Sequence, residues 1–192
     1  MASIIEKLAR TMALIGGAVL TALILMTCLS VLGRSLNTLF HGTLGDHMPG
    51  FSKWMLDIGV GPINGDFELV EAGVAFAIFA FLPLCQLRSG HAVVDVFASR
   101  LSHRGMQLLR AIIEVVFAAV LILIAVQLFD GTTSKYQYGE TTFLLQFPVW
   151  WSYAASSVAA GIAALVGIYV AVVRILEFKT STAILADDGT EH

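Results

Sequence analysis

The sequence predicts an all-α integral membrane protein with four transmembrane helices. Three observations predict it. Hydrophobic residues make up 57% of the 192 residues and charged residues only 13%, about half the roughly 25% of a soluble domain. The mean hydropathy is +0.83. Four apolar runs, at 11–33, 69–87, 111–129 and 147–173, each approach or exceed the about 20 residues that cross a bilayer core. Disordered chains are polar and charged, so disorder is excluded. With 11 basic against 14 acidic residues, a net charge of −3 and no basic block, no nucleic-acid partner is indicated.

The first span, at about 11–33, carries no charge and follows Lys7 and Arg10. It exceeds the apolar core of a signal peptide and no A-x-A site closes it, so it reads as a retained span. The loop after it, 34–68, is long for a bundle connection. Within it Phe51, Trp54, Met55 and Ile58 fall on one helical face, which predicts a short helix at about 51–58. That helix lies in the outer interface or plugs the loop. The second span, about 69–87, contains Glu71 and Pro83.

The next loop holds an apolar stripe of Val93, Val94, Phe97 and Leu101, with His91, Asp95, Arg100 and Arg104 mostly on other faces. It predicts an amphipathic helix at about 91–103 lying flat on the cytoplasmic side, its basic residues facing anionic phospholipid headgroups. The third span, about 108–129, contains Glu114. A polar, Thr-rich loop at 130–146 leads to the fourth span, about 148–173, whose outer end carries Trp150, Trp151 and Tyr153 as an interfacial aromatic belt. Residues 1–178 form one four-helix membrane domain and 179–192 a flexible cytoplasmic tail.

Basic residues set the orientation. Lys7, Arg10, Arg88, Arg100, Arg104, Arg110, Arg174 and Lys179 flank one side, against Arg34, Lys53 and Lys135 on the other. The richer side is cytoplasmic, so both termini are.

Charges near the apolar runs need partners. Arg34 ends the first span on the side where Glu68 and Glu71 begin the second, so an Arg34–Glu68 or Arg34–Glu71 pair locks the two helices. A carboxylate binding a coupling ion, or a contact with another subunit, stays open. Arg110 and Glu114 are four residues apart and form a local pair. Small residues at Gly73, Ala77 and Ala80, and the steps Ser157–Gly161 and Ala163–Gly167, allow close helix approach.

Catalytic signals are lacking. All five histidines, His41, His47, His91, His103 and His192, lie outside the spans, which argues against haem. No zinc spacing, phosphate-cradling loop or defensible catalytic triad is present, and no cofactor is called for. Cys28 and Cys85 lie in apolar runs and suggest no disulfide framework.

Four motifs carry a family resemblance from about Met12 to Arg174. Val31-Leu32-Gly33-Arg34 closes the first span and Asp66-Phe67-Glu68-Leu69 opens the second. Arg88-Ser89-Gly90-His91-Ala92-Val93-Val94-Asp95-Val96 follows it, and Phe147-Pro148-Val149-Trp150-Trp151-Ser152-Tyr153 opens the fourth. Most telling is Glu68 followed 23 residues later by His91 of a His-x-x-x-Asp step ending at Asp95. In these the chain resembles the small membrane subunit (Q-type, DctQ-like) of TRAP (tripartite ATP-independent periplasmic) transporters. It departs at Phe67 and in its long first loop.

The resemblance implies a non-enzymatic scaffold and anchor in the bacterial inner membrane. Its partners would be a large elevator-type permease subunit holding the substrate and sodium sites, and a periplasmic binding protein delivering an organic acid. Arg34, Glu68, His91 and Asp95 become structural or interface residues. Phe97, Arg100, Arg104, Trp150 and Trp151 join them as subunit or lipid contacts. Two other readings compete: a quinone-binding anchor of a redox complex, and a self-contained homo-oligomeric channel.

Overall fold

A computed structural model of the protein describes residues 2–42, 47–88 and 103–180. These residues form five helices: α1 (Ala2–His41), α2 (Pro49–Asp57), α3 (Asp66–Leu87), α4 (His103–Tyr138) and α5 (Trp150–Thr180). Four of them, all but α2, are long and apolar enough to cross a membrane. The expected amphipathic helix at 91–103 falls almost wholly outside the described residues, as does most of the expected tail at 179–192.

The helices overrun the apolar stretches that announced them. α1 has 40 residues and α4 has 36, or about 60 and 54 Å at 1.5 Å per residue, against about 30 Å of hydrocarbon. Residues 34–41 and 130–138, read from sequence as loop, are helical. Neither stretch contains proline, and local hydroxyls bond the helix backbone: Thr38 Oγ1 donates to the Arg34 carbonyl at 3.0 Å and Thr132 Oγ1 to that of Leu128 at 2.8 Å. Both extensions stop at glycine: α1 at Gly42, and α4 at Gly139, whose φ is +63°.

Proline near its start opens α2, where its missing N–H costs nothing. α2 packs on the extension of α1, with the Phe40 and Phe51 rings edge-on at 6.0 Å. Trp54 and Ile58 remain exposed while Phe51 meets α1 and Met55 is half-buried, so the stripe that predicted this helix is only partly turned to the bundle. Residues 140–149 form a small hairpin rather than an open loop. Val149 N donates to the Glu140 carbonyl at 3.0 Å and Thr142 N to that of Phe147 at 2.9 Å, around a Thr141–Pro148 bridge.

The four long helices pack in the order α1, α3, α5, α4. α5 is the most enclosed, with more than half of its most apolar window buried, against less than a fifth in each of the others. Its buried side is largely Ser156, Ala159, Ala160, Ala163, Ala164 and Gly167. Lipid tails supply no hydrophobic drive between helices, so close van der Waals contact along such small residues must hold the bundle. Ala159 meets Met12 and Ala80, and Ala163 and Ala164 meet Leu121. α1 and α4, at the ends of the order, expose Leu14, Ile24, Leu25, Val116, Leu123 and Val126. One end of the bundle, here the loop end, carries the α1–α3 and α4–α5 connections; the other, the terminal end, carries Ala2 and Thr180.

Ala163 is fully buried and Val172 half exposed. Ala163→Leu should therefore lower unfolding free energy by about 1–3 kcal/mol through overpacking. Val172→Leu should stay within about 0.5 kcal/mol. Equilibrium unfolding in a mild detergent reads the difference.

Candidate functional site: the first turn of α3

The loop end is organised by two carboxylates in the first turn of α3. Gly65 precedes it at φ +80°, a left-handed conformation that glycine adopts freely. A Cβ there would also run into the Leu145 side chain. Asp66 and Glu68 then follow where the helix dipole favours negative charge.

Asp66 faces α1. Its Oδ2 accepts from Ser30 Oγ at 2.6 Å, a fully buried hydroxyl. Ser30 Oγ in turn accepts from Ile63 N at 3.2 Å. Asp66 Oδ1 accepts its neighbour's amide, Phe67 N, at 2.9 Å. Arg34 stands one turn above Ser30, its Nη2 at 3.7 Å from Asp66 Oδ2. One turn further, Asn37 Nδ2 donates to the Val60 carbonyl at 3.2 Å. One face of α1 thus holds the whole approach to α3. Gly33, on that side, lies so close to Gly61 that a Cβ would overlap the Gly61 carbonyl.

Glu68 faces the other way. Its two oxygens accept Leu144 N at 2.6 Å and Leu145 N at 2.9 Å, from the tip of the 140–149 hairpin. A carboxylate taking two backbone amides makes charge-assisted bonds where the turn would otherwise leave both donors unpaired. Lys135 Nζ to Glu140 Oε2 at 2.6 Å ties the hairpin to α4. Trp150 packs edge-on against Tyr136 at 5.4 Å and Trp151 at 6.1 Å.

The partner for Arg34 expected at Glu68 or Glu71 is therefore Asp66, which sequence reasoning passed over. Two signals pointed to it: Ser30 lies one turn before Arg34, and Asp66 opens the helix. Glu71 is exposed and makes no hydrogen bond or ion pair among the described residues. Trp150 is half-buried and Trp151 exposed. Arg104 is exposed, and His91, Asp95, Phe97 and Arg100 lie outside the described residues.

The terminal end hides a second polar group. Glu114 is buried and Arg174 lies within electrostatic reach across the α4–α5 contact. Arg174 Nη1 also donates to Glu177 Oε2 at 2.8 Å, both side chains being buried. Sequence reasoning paired Glu114 with Arg110 and counted Arg174 as a flanking charge; its i, i+3 spacing to Glu177 was the available signal. Gln86 is almost fully buried beside Gly167. Among the described residues no cluster of three or more His, Cys, Asp or Glu side chains could hold a metal ion.

The family model for the DctQ component of the tripartite ATP-independent periplasmic transporters matches residues 23–178. No curated protein and no solved structure matches the chain.

Removing the Glu68 carboxylate frees two amides. Glu68→Ala should accelerate hydrogen exchange at Leu144 and Leu145 by about tenfold and leave amides within α1 unchanged. Asp66→Ala should instead loosen residues 60–66. Hydrogen-exchange mass spectrometry of the hairpin and loop peptides separates the two.

Proposed function

Since the chain belongs to the DctQ component family of the tripartite ATP-independent periplasmic transporters, a family of membrane transport subunits, we propose that it is the scaffold and anchor of a sodium-driven uptake system. On this reading a larger elevator-type permease subunit carries an organic acid and sodium. A periplasmic binding protein delivers the acid to the loop end. The assembly sits in the bacterial inner membrane with both termini of this chain in the cytoplasm, as its excess of flanking Lys and Arg favours.

The observation that carries the reading is the family match over residues 23–178, which takes in the second half of α1 and almost all of the other three spanning helices. Packing supports it. α5 is enclosed by its neighbours, while α1 and α4 leave long apolar faces open to lipid or to a larger subunit. Polar residues at the loop end bind helix to helix and helix to hairpin. A scaffold needs that rigidity, and the moving parts belong to the partner.

Co-purification in mild detergent should bring down a stoichiometric permease subunit of many spans. Proteoliposomes holding this chain alone should pass no sodium and take up no organic acid; adding the permease and binding protein should restore uptake. Glu68→Ala should reduce assembly yield without changing substrate affinity or sodium stoichiometry. Intact assembly with lost sodium dependence would overturn the scaffold reading.

A further inference from the structure

Glu71 is the carboxylate that this chain does not account for. It lies one turn inward of Glu68 on α3, within the apolar part of that helix. It is exposed and finds no hydrogen-bond or ion-pair partner among the described residues. A carboxylate at such a depth is costly without a counter-charge. The loop end is poor in counter-charges: residues 34–71 and 130–149 hold seven acidic residues against three basic ones. Of those three, Arg34 pairs with Asp66 and Lys135 with Glu140.

Glu71 lines a cavity of about 340 Å³, at the small end of ligand-binding pockets. α3, α4 and α5 all border it, at Ala75, Leu128 and Ser152, and the hairpin borders it at Phe147 and Val149. α3 and α4 stand on either side of α5 in the packing order, so the cavity is a gap between them backed by α5. Further inward, Leu82 of α3 packs on the cluster that Leu121 of α4 forms with Ala163 and Ala164 of α5, which closes the gap. The result is a blind pit, with room for a side chain and none for a helix. Two carboxylates and no basic residue line it. Both oxygens of one of them, Glu68, accept hairpin amides, which leaves Glu71 as the acceptor on offer.

Depth and lining together choose the occupant. A soluble partner stops at the hairpin and the helix ends. A phospholipid would bring its phosphate among carboxylates. A lysine or arginine side chain has an apolar stem and a cationic head, which matches a pit with apolar walls and a carboxylate on its lining. A neighbouring membrane helix presents such a side chain sideways, through the gap between α3 and α4. We propose that this cavity is the socket for one basic side chain, lysine or arginine, from a membrane helix of the larger subunit. Its head pairs with Glu71 and its stem lies between Ala75 and Leu128. The contact between the two subunits then removes the pair from water, so that loss of either charge leaves the other buried and unpaired. The proposal rests on the scaffold reading for the identity of the partner.

The test uses the full chain expressed together with the large subunit and purified in a mild detergent. Glu71→Lys should lower the large subunit recovered per copy of this chain by about tenfold, and Glu71→Gln by about threefold. A second measurement keeps Glu71 in place and serves if Glu71→Lys fails to fold. The photoreactive residue p-benzoylphenylalanine in place of Phe79, which also lines the cavity, should cross-link on irradiation to a large-subunit segment that carries a lysine or arginine. Changing that basic residue to glutamate should reproduce the loss, and combining the change with Glu71→Lys should restore recovery. Unchanged recovery with Glu71→Lys overturns the proposal and leaves the scaffold reading standing. A cross-link confined to lipid or to this chain does the same, as does a charge swap that restores nothing. If no large subunit accompanies even the unaltered chain, the scaffold reading falls and the proposal with it.

Discussion

The first turn of α3 joins three parts of the chain that sequence keeps far apart. Asp66 holds α1 through Ser30, 36 residues earlier, and Glu68 holds the hairpin, 76 and 77 residues later. Both carboxylates sit at a helix start, where the backbone dipole favours them, and both accept short hydrogen bonds. The close contact of Gly33 with Gly61 and of Gly65 with Leu145 follows from these grips. Without them α3 keeps its helix but loses its register to α1 on one side and to the hairpin on the other.

The rest of the bundle answers a different constraint. Between membrane helices no hydrophobic gain rewards association, so backbones must come close. α5 meets that need with alanine, serine and glycine on its buried side. The polar groups at the terminal end, Glu114, Arg174, Glu177 and Gln86, sit where that contact is tight. Buried charges cost free energy unless they are paired, and the Arg174–Glu177 contact provides one such pair.

Spanning helices were plain in the sequence because an apolar run of about 20 residues matches the thickness of a bilayer core. The packing role of α5 was visible in its Ala163–Gly167 step, whereas Gly161 of the Ser157–Gly161 step meets open space. Helix ends were not visible: hydropathy reports where the bilayer is, while the helix continues until glycine interrupts it, so residues 34–41 and 130–138 read as loop. The hairpin at 140–149 was hidden because its order rests on a carboxylate more than seventy residues away. Arg34 was rightly suspected of facing the second span, but three acidic residues stood within reach in sequence and periodicity does not choose among them. Ser30 one turn before Arg34 and Asp66 at the helix start were the signals that favoured Asp66; the Gly65 turn that brings the two together is set by tertiary structure.

The packing order bears on how such a chain enters a membrane. α4 has α5 as its main neighbour, and α5 leaves the ribosome after it. α1 and α3 have one another by mid-synthesis. α4 must wait in lipid or beside the insertion machinery, its Glu114 without the Arg174 that later approaches it. The bundle therefore closes only when α5 arrives, and without α5 the Glu114 carboxyl of α4 is left facing lipid.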